Sequence, residues 1–205
     1  MYLPQQYNIQ DIEKAITLIE ENSFGDLVTI HDGNLCSNKV PFFYHKKENV
    51  LYGHFGKTNP QLAQIQQDEP KEVLAIFTGA HAYISPQWYE SENVVPTWNF
   101  QTVQVRGLAK TVDDNGLIKI LNNLTAFHES KFDTPWSMDK VNPDKLQHML
   151  NMIAGFKIDI TEIKFKEKMS QNRNEKDRLG VIKGLRRQGS QGAENVAGIM
   201  NQKIK

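Results

Sequence analysis

Short β-rich runs separated by tight polar turns fill residues 26–112 and constrain the fold more than any other feature of this sequence. The runs Asp26–His31 and Leu35–Tyr44 flank an Asp32-Gly33 pair, and an Asp-Gly pair between two β-rich runs is a strong hairpin signal. The other predicted strands are Val50–Phe55, Glu72–Phe77, Ala82–Ser85, Phe100–Val112 and Phe156–Phe165. Because no helix alternates regularly with these strands, the pattern predicts an antiparallel barrel rather than a parallel sheet.

Apolar residues at helical spacing predict a few helices around this barrel. The isoleucines between Ile9 and Ile19 recur at such spacing, and Asn8 precedes them as a candidate cap. The other predicted helices are a short one after Pro60, Leu117–Phe127 and Pro143–Ile153. The sequence therefore predicts a mainly β protein with peripheral helices. Residues 1–168 would form the barrel domain, and residues 169–205 a polar, basic extension that is helical or partly disordered.

The charge balance excludes a general attraction to nucleic acid or to an anionic membrane. Lys and Arg total 24 and Asp and Glu total 24, so the formal net charge is zero. The distribution is uneven, however, because ten Lys and Arg face four Asp and Glu from Lys166 onward, a net charge of plus six. Direct DNA binding is therefore expected, if it occurs, around Arg178, Lys183, Arg186 and Arg187.

Cysteine content and hydropathy predict a cytoplasmic protein. The single cysteine, Cys36, cannot form an intrachain disulfide, which fits a reducing compartment. The N-terminal residues lack the basic and apolar regions of a signal peptide. No apolar run approaches the roughly 20 residues of a membrane span.

The first chemical motif is the segment LYGHFGKTNPQL, residues 51–62. It delivers two glycines, a histidine and Lys57 from a strand to the start of a helix, where backbone N–H groups attract anions. Lys57 and Thr58 would add side-chain donors, so the motif predicts a phosphate site. The alternative is an ordinary turn in which Asn59 caps the helix.

Two further segments group side chains that a ligand could use. Trp88, Tyr89 and Trp98 lie around prolines and offer apolar surface to a flat ring. Their alternative role is to close a barrel mouth or a subunit interface. Ser170–Arg173 groups hydroxyl, amide and guanidinium donors, either for a ligand or as a solvated loop.

Sequence signals for catalysis are weak. The six histidines show no metal-ligand spacing, and there is no GxSxG nucleophile motif. The stretch Arg178–Gly189 could form a short basic helix, but Gly180 and Gly184 weaken it, and no convincing helix-turn-helix is present.

Several motifs in order along residues 1–185 resemble those of the PaiB family of FMN-binding negative transcriptional regulators. They are MYLP at the start, GH and NP within residues 53–60, AYISPQWY at 82–89, VVPTWNF at 94–100, LT..HE at 124–129, PW at 135–136, MIAGFKIDI at 152–160 and MSQNR with DRLGVIKGL within 169–185. The chain departs from the family pattern at Gly56 and Lys57, where alanine and arginine are more usual. Lysine keeps the positive charge but loses the forked geometry of arginine.

The resemblance implies an antiparallel split β-barrel like that of pyridoxamine-phosphate oxidases and flavin reductases. It also implies FMN at a homodimer interface and repression of bacterial genes for sporulation and degradative enzymes. An unpaired apolar loop between Trp88 and Trp98 would independently favour a dimer. The expected flavin contacts are Lys39, His54, Phe55, Gly56, Lys57, Thr58, Trp98, Ser170, Gln171, Asn172 and Arg173.

Three functions compete at this point. The first is a flavin-binding regulator, and the second is a flavin-dependent oxidoreductase or flavin reductase with an indirect regulatory effect. The third is a split barrel without a cofactor that acts as an interaction module. No candidate general acid or base stands out, so binding is favoured over catalysis.

Overall fold

A seven-stranded sheet organises the computed structural model, which describes residues 1–66 and 69–204. Its strands are β1 (Asn8–Ile9), β2 (Phe24–His31), β3 (Asn34–His45), β4 (Val50–Gly56), β5 (Lys71–Ile84), β6 (Thr97–Thr111) and β7 (Ile153–Lys168). The strand order is β1-β7-β4-β3-β2-β5-β6, and β6 also pairs with β7. The pairing therefore runs in a circle from β7 back to β7, as in a barrel, and the predicted mainly β fold is confirmed.

Six α-helices accompany the sheet within the described residues. They are α1 (Ile12–Glu21), α2 (Gln61–Ile65), α3 (Asp114–Glu129), α4 (Pro143–Leu150), α5 (Glu175–Gln188) and α6 (Gln191–Gln202). The predicted start of the first helix is wrong, because Asn8 pairs with Lys166 in β1. Asp11 caps α1 instead, since its carboxylate accepts the Lys14 N–H at 3.2 Å.

The predicted break between two strands at Thr78-Gly79 is also wrong, because β5 is continuous from Lys71 to Ile84. A Cβ atom on Gly79 would lie 2.9 Å from Leu18 Cδ1 and 3.0 Å from Gln101 Oε1. Close packing and not a turn therefore favours glycine there. The constraint is stronger at Gly107 in β6, where a Cβ would lie 2.5 Å from a backbone atom, the Asp159 carbonyl oxygen.

The chain divides into two compact units. We call Ile19–Phe77 with Gln104–Ile163 the core unit, and Met1–Leu18, Thr78–Val103 and the residues from Lys164 onward the terminal unit. Phenylalanine rings fill the core unit, where Phe42 packs edge-to-face against Phe77 at 5.2 Å and Phe156 at 6.0 Å between ring centroids.

Helices α5 and α6 pack on the second half of β5 within the terminal unit. Their buried residues form one apolar cluster: Ala82, Ile84, Met169, Val181, Ile182, Leu185, Ala193, Val196, Ala197 and Met200. Three local signals delimit the helices. Asn174 caps α5, Gly189 ends it in the left-handed conformation (φ 69°), and Ser190 caps α6.

No helix within residues 1–66 and 69–204 is long and apolar enough to cross a membrane. The same described residues contain no group of three or more His, Cys, Asp and Glu side chains that could hold a metal ion.

Candidate functional site

The turn after β4 holds Lys57 and Thr58 at the protein surface. The Asn59 N–H donates to the Gly56 carbonyl oxygen at 2.9 Å, and Asn59 Oδ1 accepts the Gln61 N–H at 2.9 Å. The Lys57 N–H donates to the Met152 carbonyl oxygen at 2.9 Å, so the Lys57 and Asn59 backbone donors are both engaged. The following helix α2 has only five residues. An anion at this turn would therefore be bound mainly by the Lys57 and Thr58 side chains, and less by a helix N-terminus.

A cavity of about 420 Å³ lies beside Lys57 in the core unit. Leu62, Leu117 and Ile153 form much of its apolar lining, and Asp114 lines it as well. Within the described residues no acid pairs with the Lys57 ammonium group. A cation beside a cavity of this size, with apolar as well as polar lining, suits an anion that carries a ring.

Lys39 lies elsewhere in the core unit, on β3 opposite Asp26 of β2. Its ammonium group pairs with the Asp26 carboxylate at 2.8 Å. Lys39 is therefore already neutralised, unlike Lys57.

His54 and Phe55 point to opposite faces of β4, as neighbours on a strand do. The Phe55 ring is buried and stacks on Phe156 at 5.1 Å, so it offers a ligand only its backbone. His54 lines a second cavity, of about 390 Å³, together with residues of α3. Burial lowers the pKa of His54 and favours the neutral ring. The structure therefore does not bring the His54 side chain into the cavity of Lys57.

In the Ser170–Arg173 cluster, the Ser170 and Gln171 side chains make hydrogen bonds within the terminal unit. Ser170 is buried at φ 58°, and its hydroxyl exchanges hydrogen bonds with the Asn99 amide at 3.0 and 3.2 Å. The Gln171 amide accepts the Met169 N–H at 2.6 Å and donates to the Glu167 carbonyl at 2.6 Å. These two side chains fix the end of β7, while Asn172 remains exposed.

The aromatic residues of the predicted loop have separate positions in the terminal unit. The Arg173 guanidinium lies over the Tyr89 ring at 4.8 Å, and burial raises the pKa of the Tyr89 hydroxyl. Trp88 packs on α5. Trp98 is 53% exposed and meets Tyr83 edge-to-face at 5.9 Å, so it is the tryptophan of this loop that is most open to a flat ligand.

The two glycines of α5, Gly180 and Gly184, have a packing role that was not predicted from the sequence. A Cβ on Gly180 would lie 2.1 Å from the Trp88 carbonyl oxygen, and a Cβ on Gly184 would lie 2.3 Å from the Trp88 indole. Trp88 therefore packs against two glycines that lie one helical turn apart. Their spacing of four residues was the available signal, because it places both on one helix face.

Asp177 was missed as well. Its carboxylate is 1% exposed and accepts the N–H groups of Glu90 and Ser91, each at 2.9 Å, and the Ser91 hydroxyl at 2.8 Å. Burial alone would raise the pKa of this carboxyl, but the hydrogen bonds from Ser91 and Glu90 hold it below its usual value. Its place three residues after the cap Asn174 was the only signal in the sequence.

Residues 1–162 match the family model described as "Putative FMN-binding domain". The chain is 37% identical to the protease synthase and sporulation protein PAI 2 of Bacillus subtilis, over 100% of this chain and 99% of that one. It is also 28% identical to the uncharacterized protein AN0679 of Emericella nidulans, over 99% and 97% of the two chains. The predicted resemblance is therefore confirmed.

Solved structures support the same fold. The FAD and heme binding protein of Mycobacterium smegmatis superposes with a TM-score of 0.61 at 10% identity, over 84% of this chain and 78% of that one. The flavocytochrome Anf3 of Azotobacter vinelandii gives 0.60 at 12% identity, over 84% and 75%. At these identities the likeness concerns the fold alone, and it confirms the predicted split barrel.

Proposed function

The chain belongs to the PaiB family of FMN-binding split barrels, and from this premise we propose that it binds FMN and acts as a negative regulator of transcription. The observation that carries the ligand half of this proposal is the Lys57 ammonium group, which has no acidic partner among the described residues and stands beside a cavity with both polar and apolar lining. FMN combines a phosphate with a flat ring system, and this cavity offers a contact for each.

The residues around Lys57 fit such a ligand by their chemistry. The Lys57 ammonium and the Thr58 hydroxyl would hold the phosphate, and the Leu62, Leu117 and Ile153 side chains would cover part of the ring. Bound FMN would supply a redox-active ring, which the sensing of a metabolic state requires. The protein's own part is to bind the phosphate and to shield the ring from water.

Replacing Lys57 with glutamate tests this assignment. Lys57→Glu places a like charge beside the phosphate, so we expect FMN to bind at least tenfold more weakly, about 1.4 kcal/mol. Titration of flavin fluorescence measures the dissociation constant. Lys47→Glu, in the exposed β3–β4 turn, makes the same charge change elsewhere and should leave affinity near that of the wild type. Equal affinity in wild type and a folded Lys57→Glu protein would remove Lys57 from the site.

The other predicted contacts remain predictions of the same proposal. Trp98 and Asn172 have exposed side chains that a ligand could reach. Ser170, Gln171 and Arg173 would act mainly by holding the end of β7 and the Tyr89 ring in place.

We also propose a homodimer, built on the outer face of β2 and β3. Phe24, Ile30 and Leu35 are 63%, 64% and 73% exposed, and Ile30 lies opposite Leu35 across the strand pair. The Asp26–Lys39 ion pair lies between Phe24 and Ile30 on the same face. An exposed apolar face of this kind suits a second copy of the chain. The tryptophan loop gives less support than its sequence suggests, because Trp88 is seated on α5.

A charge on this face should dissociate the dimer. Light scattering of the wild type at micromolar concentration should give about twice the monomer mass of 23.5 kDa. Ile30→Glu should shift the mass toward the monomer, since it buries an unpaired charge in the interface. Ile12→Glu, at another exposed isoleucine, should not. A wild type that stays at 23.5 kDa at all concentrations would exclude the dimer.

Repression by direct DNA contact would use α5. Lys176, Lys183, Arg186 and Arg187 are exposed on this helix. The Arg178 guanidinium instead donates to the Lys203 carbonyl oxygen at 2.7 Å and so holds the end of α6. Lys183, Arg186 and Arg187 are therefore the candidates for phosphate contacts.

Charge reversal at these three residues tests the direct mechanism better than truncation, because removing α5 and α6 would uncover the apolar cluster beneath them. Fluorescence anisotropy near about 50 mM salt should detect DNA binding that falls steeply as salt rises. The triple glutamate variant should lose that binding while keeping its flavin. If the wild type shows no salt-sensitive binding, regulation does not proceed by direct DNA contact.

A flavin-dependent oxidoreductase is the second candidate, favoured by the flavin itself. Consumption of NAD(P)H in the presence of added FMN distinguishes it from a regulator without catalytic activity. A barrel without a cofactor would show neither bound flavin nor NAD(P)H consumption.

We propose a cytoplasmic location for the protein, because its single cysteine fits a reducing compartment.

A further inference from the structure

The cavity that contains His54 brings together three sequence motifs, of which one is distant in the sequence from the other two. His54 belongs to the Gly-His pair of β4, Glu129 to the LT..HE segment of α3, and Trp136 to the Pro-Trp pair after α3. All three line a cavity of about 390 Å³ in the core unit. The Lys57 side chain lines a different cavity, so the proposed phosphate contact does not account for this convergence.

Glu129 gives the cavity a fixed hydrogen-bond acceptor. Its Oε2 accepts the backbone N–H of Trp136 at 2.9 Å, which orients the carboxylate and holds the indole beside it. Its other oxygen, Oε1, makes no hydrogen bond within residues 1–66 and 69–204. A ligand N–H group could use this oxygen in a charge-assisted hydrogen bond.

His54 gives the cavity a neutral imidazole. Its Nδ1 is enclosed and has no hydrogen-bond partner among the described residues, and burial lowers its pKa. Its Nε2 likewise makes no hydrogen bond to the described part of the chain. A neutral ring that is short of partners can accept from or donate to a ligand, depending on its tautomer.

Apart from Thr125 and His128, the other residues that line the cavity are apolar or aromatic. Leu121, Leu124 and Pro41 line the cavity, and Trp136 is 42% exposed at its edge. Aliphatic side chains together with an indole suit a flat ring, because each offers contact to a ring face or edge. Few polar groups placed around an apolar cavity are typical of sites for small molecules.

We propose that this cavity binds a small, flat nitrogen heterocycle that carries an amino or amide N–H group. The N–H donates to Glu129 Oε1, a ring nitrogen or carbonyl meets His54, and the ring packs between the leucines and Trp136. The carboxylate disfavours ligands that carry a negative charge on the ring. This site is separate from the proposed FMN site, and its test does not depend on flavin binding.

Calorimetric titration with adenine and with nicotinamide tests the proposal. Both probes should bind saturably at up to about millimolar concentration. Cyclohexanecarboxamide, which has the amide but no flat ring, and nicotinate, which has the ring but an anionic group, should each bind at least tenfold more weakly than nicotinamide. Absence of saturable binding by adenine and by nicotinamide would overturn the proposal.

Two variants locate the binding. Glu129→Gln keeps an oxygen for the Trp136 N–H but loses the charge, and it should weaken binding of both probes at least tenfold. Glu21→Gln, at the exposed end of α1, should bind like the wild type. Trp136→Leu should also weaken binding, and thermal unfolding of each variant verifies that it is folded. Affinities unchanged in both Glu129→Gln and Trp136→Leu would place the probes elsewhere and overturn the assignment.

Discussion

Gly180→Ala is expected to lower the free energy of unfolding by about 2 kcal/mol or more, although alanine is normally the better helix former. In an open helix the change would gain about 1 kcal/mol. Here the new Cβ would lie 2.1 Å from the Trp88 carbonyl oxygen. Because that atom is backbone, either α5 or the segment that carries Trp88 must move, and overpacking of this kind costs about 1–3 kcal/mol and sometimes more.

Gly198→Ala is the matched control for this prediction. Gly198 lies in α6, and a Cβ there would have no neighbour within 4 Å. It should therefore raise the free energy of unfolding by about 0.5–1 kcal/mol. Urea denaturation measures both variants. Equal stabilisation of the Gly180→Ala and Gly198→Ala variants would contradict the packing of Trp88 against α5.

Asp177→Ala is expected to cost about 2–3 kcal/mol of unfolding free energy at neutral pH. The buried carboxylate joins α5 to the loop at Glu90 and Ser91 through two backbone N–H groups and a hydroxyl. Alanine would leave these donors without their acceptor. Asp133→Ala, at an exposed aspartate after α3, should change stability by less than about 0.5 kcal/mol.

The effect of Asp177→Ala should also depend on pH. The pKa of Asp177 is lower in the folded protein than in the unfolded chain, so its contribution is complete above the unfolded value of about 3.9. The contribution is lost as pH falls through the folded pKa. The difference between wild type and variant should therefore shrink when urea denaturation is repeated in acid. A difference that is the same at pH near 7 and at pH near 2 would contradict the role of the ionised carboxylate.

The strands could be predicted because alternation of apolar residues is a local signal. The β2–β3 hairpin turns at Asp32-Gly33, as predicted. The turn needs two residues in the left-handed backbone conformation, and Asp32 and Gly33 both adopt it. The predictions were wrong at glycines that allow close packing. Gly79 does not end a strand, and Gly180 and Gly184 do not prevent a helix, because in each case another side chain or backbone atom occupies the space of the missing Cβ.

The candidate site could be predicted only in part, for a similar reason. Lys57 is a candidate from the sequence because a lysine in a strand–turn–helix segment is a recognisable pattern, and its role stays a prediction. Lys39 was included without knowledge of its partner Asp26, which lies 13 residues away and opposite it in the sheet. The cavity beside Lys57 was not predictable, since Leu62, Leu117 and Ile153 come from three elements that only the fold brings together.

Titration of purified protein with FMN tests the central claim most directly. Protein freed of any copurified flavin should quench FMN fluorescence saturably, reach a stoichiometry of one flavin per chain, and show the shifted visible spectrum of a bound flavin. Mass spectrometry of the untreated protein should identify the copurified molecule as FMN. Failure of FMN to bind saturably at concentrations of about 100 μM, well above a micromolar dissociation constant, would contradict the account.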